Sequence, residues 1–130
     1  MDDTTAHLAL QDTLDAPRAA RQFVTATLFG WGRRPAIPLV HIVVSELVAN
    51  AVIYAPGGPI AVDLHLEGDT LHLAVTDTAP KSAPKVNVAA RGSQRGHGLN
   101  LVDTLSITWG HVCEGATKIV WADLDLNQPI

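Results

Sequence analysis

Two polar side chains interrupt an otherwise apolar stretch. Glu46 and Asn50 lie four residues apart in Ile42-Val43-Val44-Ser45-Glu46-Leu47-Val48-Ala49-Asn50-Ala51-Val52-Ile53. On a helix that spacing puts them on one face, about one turn apart. Leu39, Ile42, Val43, Ala49 and Ile53 share that face. A carboxylate left unpartnered in such a stripe costs on the order of several kcal/mol. One arrangement that relieves the cost is a satisfied structural pair, bonded to a loop or to the next strand. The other is a cation site, with the amide oxygen on a hard ion and the carboxylate holding a water. Magnesium suits the second, because it takes oxygen ligands and keeps several waters when a phosphate supplies the rest.

Leu71, Leu73, Val75 and Asp77 recur at period two, so Asp77 points to the inner face at the end of a strand. There it either caps the turn at Thr78-Ala79-Pro80 or accepts from a ligand amine, as a nucleobase would present. Gly96-His97-Gly98 opens a short helix. The first amides of a helix lack internal partners and carry partial positive charge, and glycines let a phosphate come close. The segment is no Walker A loop, since Gly-Lys-Ser/Thr is absent, and no strand immediately precedes it as a Rossmann fingerprint requires. His97 faces either a phosphate or solvent. Cys113 has no activating neighbour in sequence. Trp31, Trp109 and Trp121 read as packing residues.

The elements that must position these groups can be read along the chain. A short strand at His7–Leu10 is followed by Asp15-Ala16-Pro17, an N-cap with proline in the first turn. The helix runs to about Phe29 with Ala16, Ala20, Phe23 and Leu28 near one face, and Gly30 and Gly32 stop it. A second helix, Ala36 to Ala55, would be about 30 Å long. It is apolar almost all round, which predicts burial in the middle of the fold. Ile60–Leu66 and the strand through Leu71–Val75 form a hairpin turning at Glu67-Gly68-Asp69. Residues 78 to 95 show little periodicity, and their Lys81, Lys85, Arg91 and Arg95 suit a solvated loop or a functional lid. A helix over Leu99–Leu105 precedes strands at Ile107–Cys113 and Lys118–Leu126, which turn at Glu114-Gly115. Hairpins with helices segregated between them predict an α+β fold, with one mixed sheet and helices on one face.

The chain has 130 residues, 47% hydrophobic and 17% charged, the size and composition of one globular unit. Nine basic against thirteen acidic residues give a net charge of -4. That disfavours nucleic acid as a direct partner, because neutralising phosphates needs clustered Lys and Arg. The longest unbroken apolar run, Ala51 to Ala55, predicts no membrane span, and the acidic start Met1-Asp2-Asp3 is unlike a signal peptide. A lone cysteine excludes an internal disulfide and a multi-Cys zinc site. A cytoplasmic location is the expectation.

Together these motifs resemble the GHKL nucleotide-binding superfamily of gyrase, heat-shock chaperone, histidine kinase and mismatch-repair ATPases. Ser45-Glu46-Leu47-Val48-Ala49-Asn50-Ala51 with Tyr54-Ala55 looks like its N box. Asp77 leads what looks like the first glycine box, and Gly96-His97-Gly98-Leu99 looks like the second. Their order and spacing match over about residues 8 to 126. Phe23 with Trp31-Gly32, and Thr117 before Val120-Trp121, are similar to the small stand-alone anti-sigma-factor serine kinases of bacterial partner switching.

The resemblance implies one Bergerat ATP-binding domain over residues 1–130. That is a two-layer α+β sandwich whose mixed, mostly antiparallel sheet carries helices on one face, with a flexible ATP lid over about 78–95. It implies ATP and Mg²⁺ as cofactors. Glu46 would be the general base and Asn50 the Mg²⁺ ligand. Asp77 would accept from the adenine amine, and amides around Gly96, His97, Gly98 and Leu99 would hold phosphates. Thr117 would approach the base from the last hairpin. The implied partners are a sigma factor or other transcription regulator and an anti-sigma-factor antagonist, whose serine would be phosphorylated, with neither nucleic acid nor a membrane bound. The class often works as a homodimer. One departure stands out: the family's Asp-x-Gly-x-Gly reads Asp77-Thr78-Ala79-Pro80 here. Without those glycines backbone passes less closely to the base, which motivates the alternative of a catalytically inactive interaction module with the same fold. A histidine kinase catalytic half fits less well, since the chain has no room for a phospho-accepting dimerisation helix.

Overall fold

Nine segments of regular structure form along the chain in the computed structural model, which describes residues 4–11, 14–54, 58–78 and 97–128. They are β1 (Thr4–Gln11), α1 (Ala16–Gly30), a 3-10 turn (Arg34–Ala36), α2 (Ile37–Tyr54), β2 (Pro59–Glu67), β3 (Thr70–Asp77), α3 (His97–Leu105), β4 (Thr108–Glu114) and β5 (Thr117–Asp125). The strands make one sheet in the order β1-β2-β3-β5-β4. Every pairing among the described residues is antiparallel, so the mixed sheet expected from the sequence is antiparallel throughout. The α+β architecture is as the sequence predicts. The segment 79–95, expected as a lid, lies outside the described residues, as do Ala55 of the N box and Gly96.

Alternation divides the sheet cleanly. Ile60, Val62, Leu64 and Leu66 of β2, Leu71, Leu73 and Val75 of β3, and Val120, Ala122 and Leu124 of β5 are all buried. Their register partners place them side by side: Val62 faces Val75, Leu64 faces Leu73, and Val75 faces Val120. Against that layer lies α2, with Leu39, Val40, Val43, Val44, Leu47, Val48 and Ala51 buried. The stretch Arg34–Ile53 is long and apolar enough by composition to cross a bilayer, which the run-length argument had not shown. Here its apolar residues from Leu39 to Ala51 that face the sheet and helices are buried in the core, the role predicted for such a helix, while Ile53 is exposed. It begins later than expected, because the Arg34–Ala36 segment around Pro35 takes the tighter 3-10 form. Pro38 sits in the first turn of α2, where its missing N–H costs nothing.

α1 packs along α2 through Ala16, Ala20, Val24 and Leu28, a strict four-residue spacing. Val24 takes the place the sequence suggested for Phe23, which is only partly buried at the core's margin. Asp15 occupies the N-cap, but its side chain makes no capping bond, so Pro17 in the first turn is what remains of the expected start signal. Between the helices, Arg21 Nη1 donates to Ser45 Oγ at 3.1 Å. His41 Nε2–H donates to the Arg21 carbonyl at 3.1 Å and lies 2.7 Å from Thr25 Oγ1. Arg33, just after α1, donates to the Gly68 carbonyl (2.9 Å) and to Asp69 Oδ1 (2.7 Å), tying the α1–α2 corner to the β2–β3 turn. That guanidinium holds the Asp69 carboxyl below the usual carboxylate range.

On the other side of the sheet the β4 edge is protected by an aromatic ring. Gly110 pairs with Trp121, and a Cβ at Gly110 would stand 2.9 Å from Trp121 Cζ2. The indole therefore covers the strand where no side chain stands, a device that shields an exposed edge.

Burial lowers the pKa of His41, the Arg21 carbonyl bond opposing and the Arg21 charge assisting. Burial likewise lowers that of His111, with the Lys118 charge assisting. A depressed histidine contributes stability that is complete above its unfolded value, about pH 6.5, and is lost as pH falls through the native value. Urea unfolding is thus expected to show a lower midpoint at about pH 5.5 than at about pH 7.5. His41→Gln should flatten part of that slope, leaving the His111 share. An unchanged slope in His41→Gln would mean the α1–α2 junction does not titrate.

Candidate functional site

The site is built on the margin of α2. Helical geometry sets His41 and Ser45 on the flank that α1 covers, and Glu46 and Asn50 on the flank away from it. Both are half-buried and follow the buried Leu39 and Val43 around the helix. Neither side chain has a hydrogen bond or ion pair with another described residue. The satisfied structural pair, one of the two readings of the sequence, is not formed among the described residues. What stands there is a carboxylate and a carboxamide one turn apart, two oxygen donors of the kind a hard divalent cation takes.

Asp77 closes β3 at 1% exposure, on the core side as its phase predicts. The sequence did not suggest its neighbour. Lys118, at the start of β5, is Asp77's register partner, also 1% exposed, with Nζ 3.5 Å from Asp77 Oδ2. A buried acid thus sits against a buried base where β3 ends and β5 begins. One ammonium contact does not exhaust a carboxylate, which offers about four lone-pair sites. His111 approaches the same end from β4, where burial first and the Lys118 charge second disfavour its protonation. The signal for Lys118 was present in the sequence: Lys118, Val120, Ala122 and Leu124 alternate in phase, so the lysine had to face inward.

Thr117 stands one residue out of that phase. Its side chain is on the other side of β5, and its hydroxyl donates to the Glu114 carbonyl at 3.0 Å within the β4–β5 turn. It is not brought to Asp77; the inward position beside the acid belongs to Lys118. The backbone of His97 and Gly98 forms the first turn of α3, so the amides expected to meet a phosphate do lie at a helix start. Leu99, 4% exposed, and Val102, fully buried, anchor that helix in the core, and α3 packs against α2. Thr78 is exposed at the end of β3, while Ala79 and Pro80 lie outside the described residues.

Residues 10–121 match the family model described as the histidine kinase-like ATPase domain. That span holds every motif from the Glu46–Asn50 pair to Thr117. Among solved structures, the chain is similar to that of the RsbU and RsbW domains of Rv1364c from Mycobacterium tuberculosis. The TM-score is 0.69 at 21% identity, over 93% of this chain and 32% of that one, so the likeness is one of fold, and this chain spans about a third of that protein. No curated protein sequence matches.

The Asp77–Lys118 pair yields a direct test. Lys118→Met leaves a buried carboxylate without its cation and is expected to cost about 3–5 kcal/mol in urea unfolding. Asp77→Asn combined with Lys118→Met should recover most of that loss, since removing both charges is far milder than removing one. A single-variant cost below about 1 kcal/mol would show that the pair is effectively solvated.

Proposed function

Because the chain belongs to the histidine kinase-like ATPase domain family, we propose that it is an ATP-binding regulator of the anti-sigma-factor and serine-kinase type. The observation that carries this reading is the Glu46–Asn50 pair, half-buried on α2 with no side-chain partner among the described residues. Oxygen groups placed in that way have hydrogen-bonding and coordinating capacity to offer a ligand. Asn50 Oδ1 would ligate Mg²⁺, which when bound neutralises phosphate charge. Glu46, one turn earlier, would orient a hydroxyl or water and accept its proton. Asp77 would take the exocyclic amine of adenine while keeping Lys118 as its counter-charge. The first amides of α3 would bind phosphate oxygens.

In this reading the chain acts in the cytoplasm, holding a sigma factor or similar transcription regulator until an antagonist displaces it. The serine of that antagonist is the phosphoryl acceptor. The neighbouring structure contributes the RsbW-domain fold to this argument and nothing about partners. A second reading, an interaction module that binds partners without turnover, is favoured by one feature. Asp77 is followed by Thr78-Ala79-Pro80 in place of the family's glycines.

Calorimetric titration with Mg-ATP tests the first part. Wild type should bind, and Asn50→Ala should weaken binding at least about tenfold (about 1.4 kcal/mol), with a similar loss in wild type when Mg²⁺ is chelated. No heat at millimolar Mg-ATP overturns the proposal. Incubation with labelled ATP and a candidate antagonist separates the readings. Transfer lost in Glu46→Gln while binding persists identifies the kinase. Partner binding indifferent to ATP identifies the module.

A further inference from the structure

The sheet face away from the helices carries, beside Trp121, Ile119 and Val112, a row of ionisable groups. His65 of β2 is the register partner of His72 of β3, and His72 is the register partner of Asp123 of β5. The two imidazoles have their ring centroids 5.5 Å apart, tilted by 35°. Glu67, two residues beyond His65 on the same face of β2, brings Oε1 to 3.5 Å from His72 Nε2. One donor atom from each of His65, Glu67 and His72 lies within 4.8 Å of the other two.

From this we infer a zinc-class divalent cation site formed by His65, Glu67 and His72, with Asp123 fixing the orientation of His72. His72 Nδ1 is hydrogen-bonded to Asp123 Oδ1, which leaves Nε2 as the nitrogen directed at Glu67 and toward the His65 ring. A carboxylate on the far nitrogen of an imidazole fixes its tautomer and raises its basicity, the usual arrangement behind a metal-bound histidine. A structural ion pair of His72 with its two carboxylates would not need His65; a two-histidine, one-carboxylate set with an open fourth position does. Imidazole with carboxylate is the donor set of zinc and its first-row neighbours rather than of magnesium. A tetrahedral zinc with bonds of about 2.0–2.1 Å needs donors about 3.3 Å apart, so rotations of exposed side chains that close up to about 1.5 Å complete the site. The His72 and Glu67 side chains are 40% and 64% exposed, so an ion reaches them without a channel.

The site would clip β2 to β3 beyond their turn, on the opposite sheet face from Asp77, and it rests on no part of the nucleotide reading. His7 and Asp63 form a separate pair at 2.7 Å on the same face and serve as the internal control. Calorimetry with ZnCl₂ on the full chain should show one site. Binding should be lost in His65→Gln and in His72→Gln. It should weaken about 10–100-fold in Asp123→Asn and stay unchanged in His7→Gln and Cys113→Ser. Co²⁺ titrated into wild type should develop visible absorption of a low-symmetry site, quenched by added Zn²⁺, a readout that needs no variant to fold. The absence of both heat and absorption at submillimolar metal overturns the inference. So does affinity that survives both histidine replacements in folded protein, or that falls with Cys113→Ser.

Discussion

The structure depends on the burial of α2. A helix of this composition is stable in water only if its broad apolar face is covered. Sheet, α1 and α3 supply that cover: Val43, Leu47 and Ala51 are among its buried residues, and Arg21 and His41 lock the α1 side. Burying each large aliphatic side chain contributes roughly 1.5–3 kcal/mol against exposure. That gain is what allows a carboxylate and an amide to be held at the margin of the same helix with no internal partner among the described residues. Had the apolar face been narrower, Glu46 and Asn50 would have turned fully to water. Had it been wider, a carboxylate at that place would have required a cation of its own, as Asp77 has.

The sheet makes a second division of labour possible. Because side chains alternate strictly, each strand gives one face to the core and one to solvent, and the registers align those faces across five strands. The core side ends in a charged pair at the end of β3; the open side carries histidines and acids in cross-strand register. β3 joins the two, with His72 facing outward and Asp77 inward five residues later. One rigid strand can therefore position two chemically different groups of side chains without their touching.

Much of this was legible in the sequence, for identifiable reasons. The four residues Leu71, Leu73, Val75 and Asp77 obey one period, so the inward position of Asp77 could be read directly. The apolar run around Glu46 and Asn50 could only be a central helix once its length and the flanking prolines were considered. Less legible were features that depend on pairing between distant strands. Lys118 announced its inward phase, but that it would meet Asp77 required the β3–β5 neighbourhood, set by a crossover through α3 and β4 that no local signal encodes. The same gap hid the His65–His72–Asp123 row, since three strands must align before those residues become neighbours. Thr117 was drawn toward the site by resemblance, while its phase, one residue from Lys118, turned it to the other face. α1's stripe shifted from Phe23 to Val24 because close packing on α2 uses a four-residue ridge, in which a small branched side chain fits better than a ring.

The buried acid–base pair also bears on the missing glycines. In a pocket where backbone hugs the base, an aspartate can be held by amides and solvent; here Thr78 follows Asp77 directly and Lys118 supplies the compensating charge from the neighbouring strand. One ammonium contact at 3.5 Å leaves lone pairs on the carboxylate that a donor from outside the fold could take. Whatever meets Asp77 at that end of the core meets a carboxylate whose neighbour across the β3–β5 register is a buried cation.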